Sequence, residues 1–333
     1  MKKMLLLLRN LYHWLPLSQS SKQGLKSAAC SLFPDLANQP KNIMVPYLQS
    51  EGLACPLCGT TPLTIAQGQY GVHSEGLPCA SCGVNARNRF FYLGLKNVIE
   101  RITGIESRGL AVPGVDQAHV NLRMLEASSF GYVSMGDRYR LGMSKYGHLT
   151  CSDYYEEGFK GVQKIDLCDM PFGDKTLDII AHSHVLEHIE NDEKALSESF
   201  RCLSDRGVLV FGIPVQTDFT FKPANPEYHG DNALVYSRNG WDVIAKLIGA
   251  GFRVEVYVPP EHLAFWPSKF DPDAIALDNI TVGQKFGKNF ARYHELFHPI
   301  CGIEESTANG FSDIWGHFEL FVCRKNVIQS PGH

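Results

Sequence analysis

Cys55, Cys58, Cys79 and Cys82 form two C-x2-C pairs with twenty residues between them. Each pair lies in a turn-like stretch, CPLCGTTPL with Gly59 and CASCGVNARNR with Gly83. Four thiolates at this spacing suit a tetrahedral zinc ion. With every position filled by cysteine, no coordination site stays open, so the expected role is structural. Residues 51–90 hold few apolar side chains, so the ion should supply much of the module's folding energy. Two disulfides are the alternative and would need an oxidising compartment. A redox C-x-x-C is a third reading, but both pairs sit on glycine turns rather than at a helix start. The other six cysteines, at 30, 151, 168, 202, 301 and 323, are scattered, which fits a reducing compartment.

A second group of chemically able residues lies between Asp166 and Pro214. His182, Ser183, His184, Glu187 and His188 follow the apolar run Leu177–Ala181, and Val208–Phe211 forms another such run. Both runs read as strands. Between them Ala195, Leu196, Ser199, Phe200 and Leu203 fall at helical spacing, and the helix is expected to stop at Asp205-Arg206-Gly207. Strand, helix, strand is a βαβ crossover, the start of a parallel sheet. In open α/β sheets ligands sit outside the carboxyl ends of the strands, which is where His182-Ser183-His184 falls.

The run LDIIAHSHVLEHIENDEKALSESFRCLSDRGVLVFGIP resembles the core of class I S-adenosylmethionine-dependent methyltransferases, in their large small-molecule branch. The resemblance lies in L-D before the fourth strand, HVLEH, an acidic turn, a helix ending in R-x-L-x-x-x-G and a fifth strand ending in Pro. It implies an α/β fold, a doubly wound Rossmann-like sheet of seven strands with the last antiparallel, preceded here by the small four-cysteine zinc ribbon. The segment 51–90 is similar to ribbons found ahead of some family members, where arginines follow the second knuckle. Here those are Arg87 and Arg89, which read as surface charge, packing on the main domain or contacts to an anionic substrate.

The resemblance also implies where the cofactor would lie. Leu122–Glu126 is the expected first strand, followed by Ala127, Ser128, Ser129, Phe130 and Gly131 in place of the family's glycine-rich loop. Only Gly131 is retained, although small residues still let backbone approach a ligand. His148–Asp153 is the second strand, and its terminal acid is placed to accept both ribose hydroxyls. A helix-cap or turn role is the alternative for Asp153. Val162–Asp166 is the third strand, and DLCDMPF is similar to the family's D-x-x-x-L-P-F segment, whose acid and next amide meet adenine. That implicates Asp166 and Leu167, with Asp169 or plain turn chemistry as alternatives. The expected cofactor contacts are therefore Glu126, Ala127, Ser128, Gly131, Asp153, Tyr154, Asp166, Leu167, His182 and Ser183.

Methyl transfer from a sulfonium is an in-line displacement, and a hydroxyl acceptor needs a base near neutral pKa. His184, His188 and His229 are the candidates. His184 and His188 follow the fourth strand, and His229 lies on the long loop after the fifth. Glu187 could orient either of His188 and His229, and Tyr228, Tyr236 and Trp241 line a ring-shaped pocket or belong to the core. Further on, Ser237 is expected to cap a helix through Leu247, Arg253–Val258 to form the sixth strand, and His317–Arg324 to return antiparallel beside it. Residues 260–310 are an aromatic-rich insertion without clear period.

The elements that must hold these groups divide the 333 residues into a leader (1–50), the ribbon (51–90) and the main domain (91–326). Phe90–Ile102 reads as the joining helix. The leader opens MKKMLLLLRNLYHWLPL; its apolar run breaks at Arg9 and no small-residue cleavage site follows before Pro16. A helix packed on a core or partner is one reading, and peripheral membrane contact through residues 1–17 is the other. LYHWLPLSQSSKQGLK also resembles leaders of some bacterial surface-polysaccharide assembly proteins. A net charge of −4 argues against a general nucleic-acid binder. The expectation is thus a cytoplasmic enzyme, at most peripheral at the inner face of the membrane. It would move a methyl group to an oxygen of a small-molecule or saccharide acceptor, using S-adenosylmethionine and a structural Zn2+. A non-catalytic methyltransferase-like interaction protein and an RNA or protein methyltransferase are the alternatives.

Overall fold

The computed structural model describes residues 48–66, 76–114, 120–154, 161–229, 233–269, 285–313 and 316–325. The expected leader helix lies outside them. All described residues belong to one compact unit.

A short antiparallel pair, β1 (Leu48–Ser50) and β2 (Leu63–Ile65), opens it and carries the first cysteine pair between its strands. Helix α1 follows the second pair and runs over Ala86–Thr103, four residues earlier at its start than expected. The Asn85 side chain accepts from the Asn88 amide at its N-terminus, and Gly104, at φ 70°, ends it with a left-handed residue.

The main sheet has eight strands, not seven. These are β3 (Leu122–Ala127), β4 (Gly147–Asp153), β5 (Val162–Lys164), β6 (Leu177–Ser183), β7 (Leu203–Gly212), β12 (Phe252–Val258), β13 (Phe297–Pro299) and β14 (Leu320–Lys325). Their order across the sheet is β13-β12-β14-β7-β6-β3-β4-β5. Strand β14 inserts antiparallel between β7 and β12, as a returning last strand should. The extra strand, β13, comes from the aromatic insertion and pairs in parallel with β12.

Both faces of the central strands are covered, so successive residues divide between two cores. Met124, Ile179, Ala181, Val208 and Val210 pack with α1 and the cysteine module. Between β3 and β4 lie α2 (Phe130–Met135) and α3 (Asp137–Met143). Leu125, Ile180, Leu209, Phe211 and Phe321 pack with α4 (Asp192–Cys202) and α5 (Val243–Gly249) on the other face.

Three local expectations are corrected. Gly207 is not a helix end: α4 stops at Cys202 and β7 begins at Leu203, so Gly207 lies inside a strand that shifts register opposite Leu177. A Cβ there would come within 3.0 Å of the Leu177 carbonyl. Ser237 caps no helix. Asn239–Gly240 (β11) pair instead with Val215–Thr217 (β8), and α5 starts at Val243. The insertion is ordered where described, as α6 (Pro260–Lys269), α7 (Lys288–Tyr293), β13 and α8 (Ile303–Asn309). Its aromatics gather on Trp241 and Trp266, the former donating its indole N–H to the Lys285 carbonyl at 2.7 Å.

His262, on α6 of this insertion, is wholly buried against Trp266, and its Nε2 donates to the Asp313 carbonyl at 3.1 Å. Burial first, and the nearby Lys285 charge second, push its pKa down to about 3. An unfolded histidine takes its proton near pH 6.5. Between these values the unfolded chain binds the extra proton, so stability is lost as pH falls through that window. Urea unfolding at pH 7.5 and 5.5 should show His262→Phe flattening this acid loss by about 1 kcal/mol relative to wild type.

Candidate functional site

The four cysteine sulfurs converge. Cys55 and Cys82 lie 3.9 Å apart, as do Cys58 and Cys79, and all four Sγ fall within 4.8 Å of one another. A disulfide would need about 2.05 Å, whereas sulfurs held at about 2.3 Å from one ion lie about 3.8 Å apart in a tetrahedron. The set therefore fits a closed four-thiolate metal site. Gly59 and Gly83, at φ 72° and 74°, fold each knuckle back so that their amides donate to the Cys55 and Cys79 carbonyls at 2.8 Å. Leu57, Leu63, Leu77 and Val84 of this module share a core with Phe90 and Leu95 of α1. Arg89 is fully buried there and donates to the carbonyls of Leu77, Val84 and Asn309, which is a packing role.

Away from the cysteine module, the carboxyl ends of β3, β4 and β6 lie level. Ala127 is in register with Ser152 and His182. From β3 the chain steps outward to β4 and β5, and from β6 it steps the other way to β7, so β3 and β6 flank the switch point of the sheet. Ser128 leaves β3 at φ 51°, a backbone state that the expected glycine would adopt freely, and its amide bonds to the Ser152 carbonyl at 2.8 Å. Buried Ser129 caps α2. Gly131 packs on the Tyr139 ring, where a Cβ would come within 2.8 Å.

Glu126 is occupied inside the protein. Its two oxygens accept from the hydroxyls of Tyr92 at 2.7 Å and Tyr139 at 2.5 Å, and Tyr92 in turn accepts from the Gly131 amide at 2.5 Å. Burial raises the Glu126 pKa, with the tyrosine hydrogen bonds opposing it. Its carboxylate thus fixes the loop rather than facing outward. Asp153 ends β4 and is half-buried, with Tyr154 beside it and exposed. Asp166 is exposed on the turn after β5, where its carboxylate accepts from the Cys168 amide at 2.7 Å; Leu167 is buried. That is turn chemistry, the alternative foreseen for this acid.

His182 and Ser183 are the last residues of β6. His182 is buried and stacked on Phe211 at 5.0 Å, and burial lowers its pKa to about 4. His184, at φ 54°, is tied by its amide to the Gly212 carbonyl. Its Nδ1 lies 3.0 Å from Arg87 Nη1 and 3.4 Å from Glu187 Oε1, and burial with the Arg87 charge pushes its pKa well down. His188 meets His229 edge to face at 4.7 Å between ring centroids. The structure so brings His184, His188 and His229 around Glu187. Neither Arg87 on His184 nor the two tyrosines on Glu126 had a signal in the sequence beyond residue type. They act across 97, 34 and 13 positions of chain.

Residues 143–211 match the methyltransferase-domain family. They span α3's end to β7, which takes in β4, β5, β6 and β7 but not β3, one of the two strands that flank the switch point. Over these residues, about a fifth of the chain, it is similar to the methyltransferase-domain family, and the strand order agrees with an α/β methyltransferase sheet. No curated protein matches it. Among solved structures it is similar to a chain of the complex between the Haloferax volcanii Trm112 methyltransferase activator and a methyltransferase, at 13% identity and TM-score 0.37 over 74% of this chain and 92% of that one. It is also similar to an S-adenosylmethionine-dependent methyltransferase from Mesorhizobium loti, at 17% identity and TM-score 0.36 over 65% and 94%. A third is a Haemonchus contortus phosphoethanolamine N-methyltransferase, at 14% and 0.34 over 69% and 52%. None of the assignment rests on these three.

The residues present fit S-adenosylmethionine in part. An acid stands at the tip of β4, beside the switch point, and the loop Ala127–Ser129 is small. Glu126, whose oxygens are both taken, does not fit as a direct contact.

Mass spectrometry of the intact wild-type chain under native conditions should show one metal ion that Cys79→Ser lacks, and Cys79→Ser should lower the melting temperature of the whole domain, since the module shares its core with α1. Glu126→Ala should leave two buried phenols without acceptors and cost about 3 kcal/mol in urea unfolding, whereas Glu126→Gln keeps one acceptor and should cost about 1 kcal/mol.

Proposed function

We propose that this protein transfers the methyl group of S-adenosylmethionine to an oxygen of a small-molecule acceptor, with a sugar of a glycan precursor as the substrate class and Zn2+ in the four-cysteine module. The observation that carries the reading is a methyltransferase-like strand order with His184, His188 and His229 grouped around Glu187 just past the carboxyl end of β6, beside the switch point. The cofactor supplies a methyl already activated on a sulfonium. The chain's own part is to hold and orient. Asp153 is assigned the ribose hydroxyls, and Ala127 and Ser128 the close backbone approach. His184, His188 and His229 are assigned the acceptor side.

The acceptor class draws on the segment after β7. Phe219, Phe221 and Tyr228 are exposed on it, and flat aromatic faces suit the apolar side of a sugar ring. The weak likeness of the leader to surface-polysaccharide assembly proteins points the same way. A cytoplasmic location, with residues 1–17 at the inner face of a membrane, goes with that role. An acidic net charge of −4 speaks against RNA as the acceptor.

Titration calorimetry tests the cofactor first. S-adenosylmethionine should bind the full chain well below millimolar. Asp153→Ala should weaken it about 10- to 100-fold, the loss of two hydrogen bonds to a carboxylate. Absence of binding below millimolar would favour the non-catalytic interaction protein. Incubation with labelled cofactor and a cell extract, followed by identification of the labelled product, then tests the acceptor.

A further inference from the structure

Glu187 is 1% exposed, and no hydrogen bond among the described residues reaches either of its carboxylate oxygens. A buried carboxylate left so is costly, and burial accordingly raises its pKa. The neighbours explain why nothing reaches it. Arg87 can only donate, so the neutral His184 must accept from it at Nδ1 and carry its proton on Nε2. The His184 nitrogen 3.4 Å from Glu187 Oε1 therefore has no proton to offer. The carboxylate faces a lone pair.

His188 and His229 stand beside it. One ligand atom from each of Glu187, His188 and His229 lies within 4.8 Å of the others. The His188 tautomer is set by the backbone: Nδ1 lies 2.7 Å from the Leu234 carbonyl, which only accepts, so Nδ1 carries the proton and Nε2 keeps its lone pair. A carbonyl holding one ring nitrogen so that the other is free to ligate is the usual second-layer support of a metal-binding histidine. The strand pair Glu227–Tyr228 (β9) and Leu234–Val235 (β10) carries both this carbonyl and His229, and Tyr236 donates its amide to the Glu187 carbonyl at 2.8 Å. One short hairpin thus sets two of the three groups and rests on the third.

We propose that Glu187, His188 and His229 form a second metal site, distinct from the cysteine module, for a divalent first-row cation such as Mn2+ or Fe2+. Two imidazoles and one carboxylate suit such an ion, whereas four thiolates select zinc. Ligand atoms about 2.1 Å from an ion lie about 3.0 Å apart on one face of an octahedron, so the three groups, already within 4.8 Å of one another, would draw together around it. With three protein ligands the site keeps positions open, unlike the closed four-thiolate set. A bound cation would give the Glu187 oxygens the partner that no hydrogen bond among the described residues supplies.

Its role rests on the methyl-transfer reading, but its binding does not. An acceptor hydroxyl on an open position loses its proton to water more readily. The oxygen then forms its bond to the methyl carbon as the carbon–sulfur bond breaks. The products are the methyl ether, S-adenosylhomocysteine and one proton.

The test uses the full chain with zinc already in the cysteine module. Mn2+ is titrated and followed by the loss of its free-ion electron paramagnetic resonance signal, and Co2+ by its visible absorption. One ion per chain should bind. His188→Ala, His229→Ala and the isosteric Glu187→Gln should each weaken it at least about tenfold, with zinc content, circular dichroism and S-adenosylmethionine affinity unchanged. Asp166→Asn should bind as wild type does. The proposal fails if wild type binds neither ion beyond the zinc, or if the folded His229→Ala and Glu187→Gln proteins bind as tightly as wild type. Either result, obtained with S-adenosylmethionine binding intact, leaves the methyltransferase reading standing.

Discussion

A carboxylate buried with two phenols for company holds three parts of this protein to one another. Glu126 sits at the end of β3, Tyr92 comes from α1 and Tyr139 from α3, and Tyr92 passes the bond on to the Gly131 amide. Each member is fully satisfied only if the others stay in place, which makes the group cooperative. The loop after β3 is thereby held with little glycine in it. A glycine-rich loop gains close approach from its flexible backbone; this one has Ser128 in a left-handed state and is held by side chains from outside. The departure from the expected loop composition and the burial of Glu126 are thus two sides of one arrangement.

That arrangement also explains why the cysteine module is continuous with the domain. α1 starts four residues past Cys82 and carries Tyr92 to Glu126, Arg89 into the module's own carbonyls and Arg87 to His184. A module too poor in apolar groups to stand alone gains a core from α1, to which it contributes Leu57, Leu63 and Val84.

Much of the sheet was legible because its signal is local. Strands β3, β4, β6, β7, β12 and β14 read as short runs, and α4 as a 3.6-residue period. The cysteine convergence followed from spacing alone. What the sequence hid depends on partners distant in the chain. Gly207 has the right neighbours for a helix end, yet pairing with β6 draws Leu203–Asp205 into β7. Strand β13 is three residues long and exists only because β12 offers it an edge. Asp166 and Glu126 have the types and positions that a ligand would use, but local amides and two tyrosines reach them first. The histidine cluster is legible as three candidates, whereas Glu187 at its centre reads from the sequence only as a helper, because burial is what makes it unusual.

The two ends of α1's first turn set the chemistry of the rim. Asn85 caps the helix three residues after the second knuckle, so the direction of α1 is fixed by where Cys79 and Cys82 turn. Arg87 then reaches His184 with a charge that keeps that imidazole neutral and its Nδ1 lone pair engaged. Were His184 to carry its proton on Nδ1 instead, it would donate to Glu187 and satisfy it. The placement of one arginine by the cysteine knuckle is therefore what leaves the buried carboxylate unsatisfied beside His188 and His229. The four-cysteine module and the histidine cluster, which look unrelated in the sequence, are coupled through a single guanidinium.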